Sequence, residues 1–394
     1  MKSKILGIAL FAVTLGAIVY YPTLMANKIG QPINNHITAD QNPTVDVVFV
    51  LDTTGSMSGL IQTAKDKIWS IATTMASAQP TPDIRIGLVA YRDRGDEYVT
   101  RIVDLSDDLD SVYATLMDFE AGGGGDTPES VNRALSDAVN KMSWSQGRQA
   151  YQTIFLVGDA PPHMDYNEAR YPEIMAAASN KGIVINTIQC GDMPATIGPW
   201  TQIASLGHGS FFQVEQAGGA VAYTSPYDEE IAKLSAKIDD TRLYFGDPEE
   251  KEVMKQKVLA TDKLNETASI ESRARRGVFN AAAGGRKNML GENELVDGVA
   301  SGVIKLDELD ENELPEALKP MAPADQEVYV ARLASERAEL RQQILELSDD
   351  RDEFLKKKVE EAGGRKDSLD HKLYDAVKEQ AREAGLEYED GPAY

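Results

Sequence analysis

The chain has 394 residues, a formal net charge of −23 and one cysteine, Cys190. That length allows two domains, or one domain with a sizeable appendage. The excess of acidic residues disfavours nucleic acid and anionic membrane surfaces as partners, because phosphate binding depends on Lys and Arg. One cysteine excludes an internal disulfide and a multi-thiolate zinc site, and the four histidines are scattered. Any bound metal should therefore be held by oxygen.

The N-terminus carries an export signal or a membrane anchor. Two lysines precede an uncharged apolar run over Ile5–Tyr21, and a small residue follows at Ala26. Residues 1–26 therefore have the layout of a secretory signal peptide. Residues 5–26 could instead span a bilayer once and remain as a membrane tether. We favour cleavage, and both outcomes export the rest of the chain, to the periplasm or to the outer face of the cytoplasmic membrane.

The next part of the chain alternates between strand and helix patterns. Residues 27–44 are polar and aperiodic, which predicts a linker. Apolar runs then predict strands at 45–51, 84–91, 98–105, 151–158, 183–190 and 210–214. Helical spacing separates them, at 57–75, 108–119, 128–142, 173–182, 200–209 and about 220–243. Apolar strands separated by helices are typical of a sheet covered on both faces. Residues 45–245 are therefore predicted to form an α/β domain with a doubly wound, mostly parallel sheet.

After residue 245 the strand patterns largely vanish. Residues 246–324 are predicted to be an irregular and helical linker region, and 325–394 a helical C-terminal region. Apolar residues follow 3–4 spacing over 325–360, which also raises the prospect of a coiled coil. Arg337 and Arg351 occupy two positions of this apolar stripe, which argues against a long coiled coil that is stable by itself. We prefer a helical hairpin that packs against the main domain.

Oxygen-bearing side chains follow two predicted strands and fill a third loop. The strand at 45–51 runs into Asp52, Thr54 and Ser56, at alternate positions of a tight turn. A Gly-rich loop carries Thr127, and the strand at 151–158 is followed by Asp159. In a parallel sheet the loops at the carboxyl ends of strands meet at one edge, where ligands bind. Hard divalent cations such as Mg²⁺ prefer oxygen ligands. A shell with two formal negative charges would leave the ion able to attract an outside carboxylate.

A plainer interpretation of these residues is local. Thr54 or Ser56 could only cap the following helix, and Asp159 could lie in an ordinary turn. The pattern D-x-[ST]-x-[ST] is weak by itself. Its coincidence with a Gly-rich Asp-Thr loop and a second aspartate after a strand favours the metal site.

The sequence resembles the von Willebrand factor type A domains with their metal-ion-dependent adhesion site (MIDAS). The family pattern is D-x-S-x-S, a Thr on a separate loop and an Asp after a later strand. It is matched by Asp52, Thr54 (in place of the first Ser), Ser56, Thr127 and Asp159. The flanking FVLDTTGSMSG and GGGGDTPES are also similar to the family, and the resemblance covers about half of the chain. More loosely, the whole chain resembles exported bacterial proteins with such a domain and a helical C-terminal region.

The resemblance implies a ligand set, a cation and a kind of partner. The five matched side chains would hold one divalent cation, Mg²⁺ in the first place, with Mn²⁺ or Ca²⁺ as alternatives. A Glu or Asp of a protein partner would complete the metal shell.

Four further side chains are candidates for a second shell or a ligand rim, namely Asp93, Asp126, Glu129 and His163. Turn and helix-end preferences explain Asp126 and Glu129 equally well. Asp93 is more simply a loop residue, and a structural role is the more common one for a histidine such as His163.

No catalytic arrangement is visible in the sequence. The run Gly122–Gly125 lacks the Lys-Ser/Thr of a phosphate loop, and no Ser-His-Asp order with a nucleophile elbow is found. We therefore predict a non-enzymatic, exported, metal-dependent protein-binding module. Two other classes stay open. One is an envelope structural or assembly factor that acts through its helical C-terminal region, with the metal only stabilising it. The other is a non-catalytic accessory subunit of an enzyme complex. The partner's identity and the oligomeric state are not predicted.

Overall fold

The computed structural model describes residues 42–59, 61–125, 127–147, 150–214, 224–361 and 369–388. The predicted signal peptide or anchor, nearly all of the predicted linker, and Asp126 lie outside these ranges. None of the helices within them is both long and apolar enough to cross a bilayer. From Pro43 onward the chain forms one compact unit.

Six strands form one sheet in the order β3-β2-β1-β4-β5-β6. Neighbouring strands are parallel except for β3, which pairs with β2 in the antiparallel direction at the edge of the sheet. The predicted doubly wound, mostly parallel sheet is therefore confirmed. The strands are β1 (Thr44–Asp52), β2 (Asp83–Tyr91), β3 (Thr100–Ser106), β4 (Ala150–Gly158), β5 (Ile183–Cys190) and β6 (His208–Val214).

The helices of the described residues lie on both faces of the sheet and in a C-terminal helical region. Those that alternate with the strands are α1 (Ile61–Ala76), α2 (Leu109–Met117), α3 (Val131–Lys141), α4 (Tyr171–Asn180), α5 (Pro194–Leu206) and α6 (Asp228–Asp239). Those that follow are α7 (Pro248–Thr267), α8 (Ile270–Ala281), α9 (Arg286–Leu290), α10 (Leu295–Ala300), α11 (Pro323–Glu361) and α12 (Leu369–Gln380).

The central strand β1 shows why the strands read as continuous apolar runs. Phe49 and Leu51 belong to the hydrophobic cluster beneath α1 and α2. Val48 and Val50 belong to the cluster beneath α3, α4 and α5 on the opposite face. Because successive side chains of a strand point to opposite faces, a strand covered on both sides must be apolar throughout.

Two helices begin later than the sequence pattern predicts. The helix predicted over 128–142 begins at Val131, because the amide of Glu129 donates to the carbonyl of Pro161 and draws this part of the loop toward the chain after β4. The helix predicted over 57–75 is replaced at its start by a tight 3₁₀ turn, Gly55–Gly59, and α1 follows it.

Residues 246–324, predicted as a linker region, contain α7–α10, and these helices pack on the sheet domain. Leu264 and Phe279 belong to the same hydrophobic cluster as Phe49 of β1. The aromatic rings of Phe279 and Trp69 lie 5.7 Å apart, which joins α8 to α1. The helical region therefore shares its core with the sheet, and the predicted domain boundaries stay predictions.

The long helix α11 packs against neighbouring helices through Arg337 and Arg351, the two arginines in its apolar stripe. Arg337 donates to both carboxylate oxygens of Glu294, each at 2.9 Å, and to the hydroxyl of Thr241. Arg351 donates to Asp228, the first residue of α6, at 2.7 Å. Both arginine side chains are buried. A charge buried in this way needs a specific partner, so these positions pair α11 with the fold around α6 and α10.

The C-terminal helix α12 completes one face of the sheet. Leu373, Tyr374 and Val377 join the cluster that contains Phe155 of β4. Gln380 accepts hydrogen bonds from Tyr151 at 2.7 Å and from the amide of Asn186 at 3.1 Å, and donates to Asn186 at 3.0 Å. The two helices of the predicted hairpin therefore pack at different places, since α11 lies along α6 and α12 lies on the sheet.

Replacing Gln380 with alanine should lower the free energy of unfolding by about 1–3 kcal/mol, because it removes a partner of the polar groups of Tyr151 and Asn186. Urea denaturation would measure the loss. Gln342→Ala is the matched control, because Gln342 lies on the exposed side of α11 and bonds only to Glu346 among the described residues. Equal stability of the two variants would contradict the role given to Gln380.

Candidate metal centre

Asp52 ends β1, and its side chain organises the turn that follows. Its Oδ1 accepts hydrogen bonds from the backbone amide of Thr54 at 2.8 Å and from the Thr54 hydroxyl at 2.6 Å. The Thr54 hydroxyl lies 3.1 Å from the hydroxyl of Ser56. The alternate positions of the D-x-T-x-S pattern therefore place three oxygen-bearing side chains on one side of the turn.

Ser56 connects this turn to the end of β4. Its hydroxyl donates to Oδ1 of Asp159 at 3.0 Å, across 103 residues of sequence. In the local interpretation, Ser56 would have capped the following helix. The long-range bond shows instead that Asp52, Thr54, Ser56 and Asp159 form one connected cluster at the carboxyl ends of β1 and β4.

Thr127, the fifth predicted ligand, is less closely placed. Thr127 is exposed, and no hydrogen bond joins it to the other four residues within the described ranges. Its loop nevertheless lies beside the loop of Asp159. The amide of Glu129 donates to the carbonyl of Pro161, and the amide of His163 donates to the carbonyl of Glu129, both at 3.0 Å.

The Gly-rich loop packs tightly against the turn after β1. The amide of Gly55 donates to the carbonyl of Gly123 at 3.1 Å. Gly123 has a φ of +72°, and a Cβ there would lie 2.4 Å from a carboxylate oxygen of Asp96. A Cβ on Gly124 would lie 3.2 Å from Cβ of Thr54. Both positions favour glycine because the backbone approaches other groups closely. This packing explains the two glycines, so a phosphate-binding loop is not needed to account for them.

The model of one protein family, described as the von Willebrand factor A domain, matches residues 46–216. These residues run from β1 to just past β6, and so include every strand and all five predicted ligands. Residues 46–216 form a von Willebrand factor A (VWA) domain.

Curated relatives match about a third of the chain. An ariadne-like RING finger protein of Acanthamoeba polyphaga mimivirus is 26% identical over 128 residues, which are 32% of this chain and 12% of that protein. The alpha-protein kinase vwkA of Dictyostelium discoideum is 28% identical over 121 residues, which are 30% of this chain and 19% of that protein. The chain therefore spans less than a fifth of either relative.

The solved structures that resemble this chain share little sequence with it. Proximal thread matrix protein 1 from the mussel byssus, solved with a zinc-occupied MIDAS motif, is 16% identical. The similarity covers 44% of this chain and 42% of that one, with a TM-score of 0.35. A von Willebrand factor type A protein from Catenulispora acidiphila is also 16% identical, over 44% and 39% of the two chains, with a TM-score of 0.32.

Negative charge accumulates at this edge of the VWA domain. Burial raises the pKa of Asp52 from 3.8 to about 7, against the lowering effect of its bonds to Thr54. Burial also raises the pKa of Asp159. Burial and then the charges of Asp52, Asp93, Asp96 and Asp159 raise the pKa of Glu129 to about 9. Without a compensating cation, ionisation of Asp52 and Glu129 is therefore incomplete at neutral pH, so less negative charge develops than the number of carboxyl groups would suggest.

The residues present fit a hard divalent cation. Oδ2 of Asp52 and Oε2 of Glu129 are buried and have no hydrogen-bond partner among the described residues. In the same ranges, no three His, Cys, Asp or Glu side chains gather closely enough to hold an ion by themselves. A cation at this edge would therefore depend on the hydroxyls of Thr54 and Ser56 as well as on carboxylates, which suits the oxygen preference of Mg²⁺.

The proposed rim residues connect the loops around the cluster. Asp93 is buried and accepts hydrogen bonds from Ser130 at 2.7 Å and from Tyr166 at 2.8 Å. Nε2 of His163 lies 3.4 Å from Asp93, and its ring stacks on that of Tyr166 with centroids 3.8 Å apart. Asp93 and His163 therefore hold three loops together, which is a structural role.

Sequence reasoning missed two residues that shape the centre. Asp96 accepts two hydrogen bonds from the amide of Gly124, at 3.0 and 3.1 Å, and so fixes the Gly-rich loop. Tyr91 ends β2 opposite Asp52 in the sheet register. Tyr91 could have been found from its position at the end of an apolar strand, next to the predicted metal edge. No local sequence pattern distinguishes Asp96 from an ordinary loop residue.

Proposed function

We propose that this chain is an exported protein-binding module whose VWA domain holds one divalent cation, with Mg²⁺ preferred over Mn²⁺ and Ca²⁺. Asp52, Thr54, Ser56, Thr127 and Asp159 would hold it. The bound cation would supply a positive charge that a Glu or Asp of a protein partner can reach. The observation that carries the proposal is the hydrogen-bonded chain from Asp52 to Asp159, with a buried, unpartnered oxygen on Asp52.

Two features support a binding role. The cluster lies at the carboxyl ends of the parallel strands, where ligands bind in open α/β sheets, and Thr127 is exposed beside it. The raised pKa values of Asp52 and Glu129 mean that ionisation of these groups is opposed unless positive charge is added. We infer no catalysis. Export rests on residues 1–26, which would act as a cleaved signal or, through residues 5–26, as a tether.

The alternative of an envelope structural factor places partner contacts on the helical C-terminal region. In this fold α12 shares a hydrophobic cluster with β1 and β4, so an isolated tail would lose the surface against which it is formed. The behaviour of metal-site variants separates this alternative from the proposal. The alternative of an accessory subunit of an enzyme complex is separated by the identity of the captured partner, which would be an enzyme subunit.

Crosslinking in an envelope extract tests the proposal. The full chain is expected to capture a partner in the presence of magnesium chloride. Asp52→Asn, or addition of a chelator, should reduce the capture at least tenfold. Asp107→Asn is the matched control, because Asp107 is exposed in the loop after the antiparallel strand β3 and should leave capture unchanged. Capture that persists in Asp52→Asn and in chelator would favour the structural alternative.

A further inference from the structure

Four residues lie in a row across the sheet behind the metal centre. Asp52 of β1 pairs with Tyr91 of β2, and Gly158 of β4 pairs with Gln189 of β5. Because Leu51 pairs with Val157, Asp52 and Gly158 are neighbours on β1 and β4. The row therefore crosses four adjacent strands at one level, and the alternation of side chains places all four on the face covered by α3, α4 and α5.

Gly158 leaves room between two polar groups of this row. A Cβ at this position would lie 2.6 Å from the hydroxyl oxygen of Tyr91, and 2.7 and 3.0 Å from Cβ and Oδ2 of Asp52. Separations this short do not occur between real Cβ atoms and their neighbours, so any other residue would displace Tyr91 or Asp52. The space at Gly158 is therefore shared by the hydroxyl of Tyr91 and the second carboxylate oxygen of Asp52.

Neither of these two oxygens has a hydrogen-bond partner in the part of the chain that the structure describes. Both residues are fully buried, at 0% exposure. A buried polar group without a hydrogen-bond partner is unfavourable, so the structure favours an arrangement in which these two groups bond to each other. A tyrosine hydroxyl has one proton to donate, and a carboxylate oxygen is an acceptor, so the two unpartnered groups are complementary.

We propose that Tyr91 is a positioning residue of the metal centre, whose hydroxyl donates a hydrogen bond to Oδ2 of Asp52 in the cation-bound protein. The bond forms directly or through one water at the space beside Gly158. Oδ1 of Asp52 is already fixed by the amide and hydroxyl of Thr54. Oδ2 has two lone-pair positions, so it can accept from Tyr91 with one and leave the other for the cation. Hydrogen bonds to the outer side of a metal ligand orient it and strengthen its binding. The inference rests on the proposed metal site.

Tyr91→Phe tests the proposal, because it removes one oxygen and keeps the ring that fills the core. Calorimetric titration of the full chain with magnesium chloride at about pH 8 should show affinity 10–100-fold below that of the unsubstituted chain. Tyr374→Phe is the matched control, since Tyr374 is also buried and its hydroxyl has no hydrogen-bond partner within the described ranges, but it lies on α12. That variant should bind magnesium with unchanged affinity.

A spectroscopic measurement separates positioning from general damage. Addition of magnesium to the unsubstituted chain should shift a tyrosine absorption band to longer wavelength, because a tyrosine hydroxyl becomes a donor to a carboxylate. The shift should be absent in Tyr91→Phe at saturating magnesium and present in Tyr374→Phe. Magnesium binding by the unsubstituted chain, with equal affinity in Tyr91→Phe or with no tyrosine shift, would overturn the role of Tyr91 alone. Absence of magnesium binding in the unsubstituted chain would overturn the proposed metal site and this inference together.

Discussion

Replacing Arg276 with alanine is expected to lower the free energy of unfolding by about 3–5 kcal/mol, because it removes the guanidinium that pairs directly with two buried carboxylates. Arg276 is 2% exposed and lies on α8. It donates to both oxygens of Asp110, at 2.7 and 2.5 Å, and to both oxygens of Asp239, at 3.0 and 2.8 Å. One guanidinium therefore joins α2 of the sheet domain, α6 and the C-terminal helical region.

The pKa shifts in this cluster agree with a stabilising role for Arg276. Burial raises the pKa of Asp110, but the charge and hydrogen bonds of Arg276 more than offset it and hold that pKa well below its usual range. Burial lowers the pKa of Arg276, and the charges of Asp110 and Asp239 raise it further than burial lowers it. The folded protein therefore holds Arg276 and Asp110 in their charged forms, and removal of the guanidinium would leave two buried carboxylates close together.

Equilibrium urea denaturation of the full chain would measure this loss. Arg332→Ala is the matched control, because the pair of Arg332 with Glu336 on α11 is exposed and such pairs contribute about 0–1 kcal/mol. A single, cooperative transition at lower urea is expected for Arg276→Ala, since the cluster belongs to the core of one unit. A loss no larger than that of the control would contradict the structural role of this cluster.

In the absence of divalent cations, the protein is expected to lose stability as the pH rises from about 5 to 8.5. The pKa of Asp52 is raised from 3.8 to about 7 in the folded state, so folding takes up a proton between those values. The associated stability is fully present below the unfolded pKa and is lost as the pH rises through about 7. With about 1.4 kcal/mol for each pKa unit, the whole shift of Asp52 corresponds to about 4 kcal/mol, of which about 3 kcal/mol is lost between about pH 5 and 8.5. Glu129 contributes in the same direction, through about pH 9.

Denaturation in chelator at several pH values tests this expectation. Asp52→Asn has nearly the same shape as the natural side chain and does not ionise, so its stability should fall less steeply with pH. At about pH 8 this variant should be more stable than the unsubstituted chain in chelator. Magnesium should restore the stability of the unsubstituted chain, by mass action, and should leave Asp52→Asn unchanged. Equal pH dependence in the two proteins would contradict the raised pKa of Asp52.

Much of the fold could be predicted because its signals are local in the sequence. The apolar runs of β1, β2, β4 and β5 predicted strands covered on both faces, and the structure has buried strands at these positions. Asp52 and Asp159 could be brought together by a general rule, since the carboxyl ends of parallel strands meet at one edge. The hydrogen bond from Ser56 to Asp159 agrees with this reasoning.

Other features depend on contacts that no local pattern records. The packing of α12 on the sheet depends on a match between Gln380 and Asn186, 194 residues apart. The later start of α3 depends on the hydrogen bond of Glu129 to Pro161, whereas the sequence pattern predicts a helix from residue 128. From the sequence, Tyr91 is only the last residue of an apolar strand, since a tyrosine there also suits a buried core. Its proximity to Asp52 follows from the register of the sheet and from the absence of a side chain at Gly158.

Calorimetric titration of the full, folded chain with magnesium, manganese and calcium tests the central claim most directly, with Asp52→Asn as the reference. We predict that the unsubstituted chain takes up one cation per molecule and that the heat of binding disappears in Asp52→Asn. No uptake of any of the three cations by the folded chain, or equal uptake by the two proteins, would contradict a metal centre at this edge of the VWA domain.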